Sequence, residues 1–234
     1  MSLIERSHPR EIKFTTRVNP HHPSSVIAEF GQTKVYITAI IEESVPGWMR
    51  DSNSGWITAE YSMLPGSSDT RIRRERKSVG GRTQEIQRLI GRSLRAIIDL
   101  DKLGKRSILL DCDVIVADGG TRTTSISGAF VALKLAINEL MKKGLLKEDP
   151  IRDQLGAISI GVNKAGKVIA DLNYEEDSSC DTDMNIVMTR AGEFVEIQGT
   201  AEGKPFNSDQ LAGMLECARA SLDIVFEQQN KALK

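Results

Sequence analysis

The sequence predicts an α+β fold of two related halves packed around a central helix, and three observations point there. Short β-branched runs cluster ahead of a helical stretch, the same order of strands then helix recurs in the second half, and the apolar spacing switches between strand and helix periods as the elements change. The halves share no convincing residue-level repeat and no low-complexity linker parts them, so 1–234 reads as a single domain. At 234 residues the chain is long enough to bury a sizeable core.

Strands are expected at Ser25–Phe30, Lys34–Glu42 and Gly55–Tyr61, where Val, Ile and aromatic residues recur. A Gly/Ser/Arg-rich loop follows from Pro65 to Gly81. Ile86, Leu89, Ile90, Leu94, Ile97 and Ile98 then repeat at helical spacing, with Arg88, Arg92, Arg95 and Asp99 on another face. This predicts an amphipathic helix from Gln84 to about Leu100, with Thr83 as its N-cap. A strand at Ser107–Val116 leads through Asp118-Gly119-Gly120 into a second helix, apolar enough from Ile126 to Met141 to cross the core before Gly144. Strands follow near Gly156–Val162, Lys167–Asn173, Met184–Thr189 and Phe194–Gly199, and a last helix spans Ser208–Ala232.

Composition excludes several classes. With 40% hydrophobic and 27% charged residues, no long apolar run and no signal-peptide pattern, the chain is expected in the cytoplasm and away from membranes. Cys112, Cys180 and Cys217 are odd in number, widely spaced and form no CxxC pair, so free thiols are expected rather than a disulfide framework or a zinc site. His8, His21 and His22 have no carboxylate or cysteine partner at ligand spacing and receive no role. A net charge of −1 argues against a generally basic coat, but Arg71 to Arg95 holds nine basic residues against two acidic ones, leaving −8 for the remainder. Such polarisation suits a surface that holds a polyanion; a solvated loop and helix whose charges are paired elsewhere is the alternative.

Two segments can carry chemistry. Asp118-Gly119-Gly120-Thr121-Arg122-Thr123-Thr124-Ser125 sets small residues at a strand-to-helix turn, where unpaired amides and the helix dipole favour an anion. Thr121 and Ser125 hydroxyls can donate there and Arg122 can grip phosphate oxygens, although glycines at such a position also serve a plain turn. Neither a P-loop nor a dinucleotide fingerprint is present. Gly80-Gly81-Arg82-Thr83 has the same form, so two turns could share one phosphate, with Arg82 as a surface charge beside a cap the alternative. The second segment, Glu175 to Asp183, is acidic. If Asp181–Asp183 is extended, those two carboxylates share a face and Asp177 can fold back over a Ser178-Ser179 turn toward Asp183. Grouped carboxylates suit a hard cation such as Mg²⁺ or Mn²⁺; the spacing is not that of an EF-hand, and a solvated acidic loop is the alternative.

Taken together, the segments Gly55–Pro65 (GWITAEYSMLP), Gly80–Ala96 (GGRTQEIQRLIGRSLRA), Leu110–Ala129 (LDCDVIVADGGTRTTSISGA), Asp171–Thr189 (DLNYEEDSSCDTDMNIVMT) and Glu196–Gly203 (EIQGTAEG) resemble the ribonuclease PH family from about Arg17 onward. The resemblance implies a duplicated fold of the ribosomal-protein-S5-domain-2-like kind. It also implies a homo-hexamer built as a trimer of dimers, and phosphate-dependent 3′-to-5′ removal of nucleotides from RNA such as tRNA 3′ ends, with orthophosphate as co-substrate. By the same resemblance Arg82, Gly120, Thr121 and Arg122 hold the phosphate, Asp177 and Asp183 serve catalysis and metal binding, and Arg71 and Arg74 hold RNA or organise the ring. The chain departs from the family at Glu5–Ile12, which lacks the DGR…RP pattern, and at Gly66, where arginine is usual. The loop between Glu75 and Gly81 is about two residues shorter, and Asp181 replaces a frequent glutamate. At 5% aromatic the sequence offers no recognition-motif stacking platform, so RNA contact should run through backbone phosphates. Two other classes stay open: a non-catalytic RNA-binding ring subunit, and a hydrolytic nuclease that keeps the metal site but leaves the phosphate turns unexplained.

Overall fold

The computed structural model describes residues 3–234. After a short strand, β1 (Ile4–Arg6), alternate side chains turn to the core along β2 (Ile12–Thr16), β3 (Val26–Phe30), β4 (Thr33–Glu42), β5 (Trp56–Met63) and β6 (Ser107–Val116). These last five form one sheet in the order β2-β3-β4-β6-β5, antiparallel except where β5 runs parallel to β6. A parallel neighbour needs a crossover. It is supplied by α1 (Gly81–Ala96), which packs on β5 and buries Ile86, Leu89, Ile90 and Leu94. The short α2 (Leu100–Leu103) completes the connection to β6.

The second half repeats the plan. Its strands β7 (Leu155–Val162), β8 (Val168–Ala170), β9 (Thr182–Thr189) and β10 (Phe194–Ala201) form the sheet β1-β8-β7-β9-β10, with β1 added parallel at the edge. Between the halves runs α3 (Thr121–Lys142), which is buried on nearly every side because it touches β3 and β4 of one sheet and β7 of the other. The last helix, α5 (Ser208–Ala232), covers β7 and β8 and reaches β2. One hydrophobic core therefore continues through both sheets. The α+β class and the central helix are those the sequence predicts.

Four local expectations change. Helix α1 begins at Gly81 with Gly80 as N-cap, and the Thr83 hydroxyl instead donates to Glu75 at 3.2 Å. It ends at Ala96, because Asp99 takes up the N-cap of α2 and accepts from the amides of Asp101 and Lys102 rather than continuing the basic face. The strand predicted to reach Asn173 stops at Ala170, since Asp171 adopts a left-handed φ of 51° that no strand tolerates. Residues Tyr174–Ser179 form a helical turn and a half, α4, where a Ser178-Ser179 turn was expected. Strands β1 and β2 were not foreseen.

Packing between α3 and the first sheet is close at Gly128, where an added Cβ would stand 2.6 Å from the Ala28 Cβ and 2.4 Å from Ile37 Cδ1. Ile37 can rotate, but Ala28 can yield only by moving β3. Gly128→Val should therefore lower the unfolding free energy by about 2–4 kcal/mol, read from urea denaturation, despite leaving a glycine-poor helix behind.

Candidate active site

A cleft of about 1290 Å³ opens where the ends of β6, α3, α4, β9 and β10 meet. Its basic wall is set by two helix starts. Gly119 and Gly120 both lie in the left-handed region, at φ 74° and 64°, so the chain can turn sharply from β6 into α3 with Gly120 as N-cap. The first amides of α3 have no partner within the helix, as at any helix start, and no side chain caps them. Thr121 lies beside them with its hydroxyl 2.9 Å from the phenol of Tyr61. Burial raises the Tyr61 phenol, while its hydrogen bond with Thr121 and the charges of Arg82 and Arg122 pull it back, and both arginines line the cleft. Arg82 comes from the first turn of α1 and Arg122 from the first turn of α3.

Two residues that sequence reasoning missed hold Arg122 in place. Its Nη1 donates to Glu85 at 3.0 Å and to Gln198 at 2.8 Å, and Gln198 Nε2 donates back to Glu85 at 3.2 Å. Both belong to segments that carry the resemblance, but neither residue type marks a phosphate site by itself. Ser125 moves the other way. Its hydroxyl donates to Thr121 O at 2.7 Å inside the buried face of α3, so it is withdrawn from the cradle assigned to it.

The acidic wall faces this one across the cleft. Helix α4 carries Asp177 and is fixed by a capping box, in which Asn173 accepts from the Glu176 amide and Glu176 accepts from the Asn173 amide. Asp183 lies at the start of β9, paired in register with Thr200 of β10. Partial burial raises the Asp177 carboxyl, Asp183 and Glu202 raise it further, and Arg82 and Arg122 oppose them. Partial burial and Glu202 likewise raise Asp183, against Arg122. Glu202, also a cleft residue, is a third carboxylate that the sequence reading did not single out. Asp181 is absent from the cleft lining: its backbone accepts from the amides of Glu202 and Gly203, which turns it toward that loop.

Repelling carboxylates with raised proton affinity fit a divalent cation, which would relieve them. Among the described residues no group of three or more His, Cys, Asp or Glu is placed to hold a metal ion by itself. The cysteines take no part: all three are free, and burial pushes the Cys180 and Cys217 thiols up to about 11. Arg71 and Arg74 sit in the exposed loop before α1 and neither lines the cleft, whose wall from that loop ends at Thr70. Burial and Asp111 raise the Asp113 carboxyl and Arg74 opposes this.

Between the ordinary carboxylate pKa and the raised folded values, the native chain binds more protons than the unfolded one, so these residues make stability fall as pH rises through that window. Asp177→Asn should flatten that slope and, in metal-free buffer at neutral pH, raise the melting temperature by about 1–3 °C, the effect of roughly 0.5–1 kcal/mol on a chain of this size. Thermal melts across pH 4 to 8, on the order of a dozen points, check this; a lower melting point for the variant would contradict it.

Known proteins resemble this chain along most of its length. A family model described as 3′ exoribonuclease family, domain 1, matches residues 8–137, and one described as 3′ exoribonuclease family, domain 2, matches residues 153–221. Ribonuclease PH of Neisseria meningitidis serogroup C is 53% identical over 226 residues, which cover 96% of this chain and 93% of that protein. Among solved structures, rice (Oryza sativa) Rrp46 superposes with a TM-score of 0.79 at 16% identity over 98% of both chains. A chain of the Archaeoglobus fulgidus exosome with RNA bound to the active site gives 0.74 at 19% identity, over 96% of this chain and 89% of that one. Likeness at these identities speaks for the fold alone. No helix among the described residues is long and apolar enough to cross a membrane.

Proposed function

The chain belongs to the ribonuclease PH family of 3′ exoribonucleases, and we propose that it shortens RNA phosphorolytically with orthophosphate held by Arg82, Arg122 and the Gly120-Thr121 turn. The observation that carries this reading is the opposition of walls in one cleft: two guanidiniums and a helix start face two proton-hungry carboxylates. A hydrolytic nuclease accounts for the carboxylates but leaves the paired phosphate turns unexplained, and a non-catalytic RNA-binding ring subunit could use the cationic wall but has no use for the carboxylates.

In this reaction an oxygen of orthophosphate attacks the phosphorus of the last phosphodiester. The bond from that phosphorus to the 3′ oxygen of the preceding ribose breaks, releasing a nucleoside 5′-diphosphate and an RNA one residue shorter. Arg82 and Arg122 bring the nucleophile into line against charge repulsion, and the unpaired amides at Gly120-Thr121 receive its remaining oxygens. Because Glu85 and Gln198 already fix Arg122, little reorganisation is needed when phosphate arrives. A Mg²⁺ or Mn²⁺ ion held by Asp177 and Asp183 would supply neutralisation of the charge developing on the leaving oxygen. Should Asp177 alone hold the ion, Asp183 would be free to give a proton to the departing 3′ oxygen. The reverse direction adds nucleotides from diphosphates.

The substrate we infer is the 3′ end of tRNA precursors and other RNAs in the cytoplasm, gripped through its phosphates by the exposed basic loop that includes Arg71 and Arg74. The working form we infer is a homo-hexamer arranged as a trimer of dimers, with the chain acting as one domain within it.

The purified protein, Mg²⁺ and a tRNA with a short 3′ extension, incubated with and without orthophosphate, provide the test. Nucleoside diphosphates should appear only with phosphate; monophosphates in both tubes would identify a hydrolase, and retained RNA without release a scaffold. Arg82→Ala should raise the KM for phosphate by on the order of tenfold to a hundredfold with a smaller change in RNA affinity. Asp183→Asn should lower kcat by at least about a hundredfold while RNA binding, read by fluorescence anisotropy, is retained.

A further inference from the structure

The amino-terminal segment, whose sequence departs from the family pattern, enters the cleft's foundations. Arg10 leaves the link between β1 and β2 with its side chain only 13% exposed and grips Asp171, which is fully buried. Its Nε donates to Asp171 Oδ2 and its Nη2 to Oδ1, both at 2.9 Å, and its backbone amide adds a third bond to Oδ2 at 3.0 Å. The remaining nitrogen, Nη1, donates to the Asp118 carbonyl at 2.6 Å and to its carboxylate at 3.3 Å. One guanidinium thus ties the residue that opens the phosphate turn to the residue that precedes the acidic helix.

The two segments it joins are in contact already. An added Cβ on Gly119 would stand 2.2 Å from Leu172 O and 2.6 Å from the Asn173 carbonyl carbon. The other carboxylate oxygen of Asp118 accepts from the Tyr174 amide, the first residue of α4, at 3.2 Å. Asp171 itself is held in its left-handed conformation, with its amide donating to Ser159 O and the next amide donating to Ser159 Oγ. Arg6 fastens the far side, donating to the carbonyls of Ala170 and Asp171 and pairing with both oxygens of Glu176, the residue that closes the α4 capping box.

We infer that Arg10 and Asp171 are a positioning pair that fixes the spacing between the phosphate-holding turn at Gly119-Gly120 and the carboxylate on α4, so that nucleophile and leaving-group machinery move as one body. The inference rests on the phosphorolytic reading of the cleft. Neither residue touches substrate; each acts through the backbone it holds. Lysine in place of arginine keeps the charge but cannot span Asp171 and Asp118 with a planar fork.

The test is steady-state phosphorolysis by Arg10→Lys, alongside Gln229→Leu as a control. Gln229 is fully buried and bridges Ser127 O and Leu155 O, away from the cleft, so its loss lowers the melting temperature without touching the turn. Arg10→Lys should raise the KM for orthophosphate and lower kcat together, each on the order of tenfold, with anisotropy-measured RNA binding unchanged. Gln229→Leu should leave that KM at the parental value, since a smaller folded fraction lowers kcat alone. The double variant Arg10→Ala/Asp171→Asn, which strands no buried charge, should repeat the Arg10→Lys shift. A parental KM in Arg10→Lys, or an equal shift in the control, would overturn the inference while leaving phosphorolysis intact. A parent chain that releases no diphosphates would overturn the activity reading and this inference with it.

Discussion

The approach of the Gly119 backbone to the Leu172–Asn173 backbone is the constraint on which the cleft is built. A side chain at position 119 would occupy the space of the Leu172 carbonyl, so the turn from β6 into α3 and the entry to α4 are in van der Waals contact along bare backbone. Glycine permits this twice over, by lacking a Cβ and by accepting a positive φ. Because each of these segments belongs to a different half of the fold, the contact is also where the two halves become one site.

Electrostatics then separates what backbone contact has brought together. The basic wall has partners, for Arg122 is anchored by Glu85 and Gln198, while on the acidic wall Asp183 and Glu202 raise the Asp177 carboxyl and the arginines oppose them. Such a cleft is poised for two kinds of ligand at once, an anion at the helix starts and a cation between the carboxylates. A phosphorolytic reaction needs that combination, because its nucleophile is an anion and its leaving group becomes one. The same charges that destabilise the empty acidic wall are those that would be relieved on loading it.

Legibility in the sequence tracked the range of the interaction that creates each feature. The long helices α3 and α5 and strands β4 and β6 announce themselves by period, since a single element's burial writes the pattern. The turn from β6 into α3 was readable from Gly119-Gly120, and the nearness of Asp177 to Asp183 from the spacing of the acidic run. Strand β1 was not, because its partner β8 lies 164 positions away and three residues carry no period. Asp171 is likewise silent: nothing local tells that this aspartate is buried, left-handed and paired with Arg10. Helix α4 was a missed signal, since Asn173 and Glu176 stand at capping-box spacing, and only the expectation of a turn at Ser178-Ser179 hid it.

Charge counting needs a similar correction. The basic window from Arg71 to Arg95 suggested a continuous polyanion surface, yet α1 spends part of it on the protein itself. Arg92 pairs with Glu196 on β10, and Arg95 lies 4.4 Å from the Trp56 ring centre and donates to Ile57 O, where burial lowers its pKa. Both bind helix to sheet. The exposed run Arg71, Arg73, Arg74, Arg76 and Lys77 enters no ion pair among the described residues, nor does Arg88 on the exposed face of α1, while Arg82 lines the cleft. Uncommitted positive charge is thus densest on the loop before α1 and continues onto the helix through Arg82 and Arg88, so a polyanion would find its free partners there and not at Arg92 or Arg95, which the fold already uses.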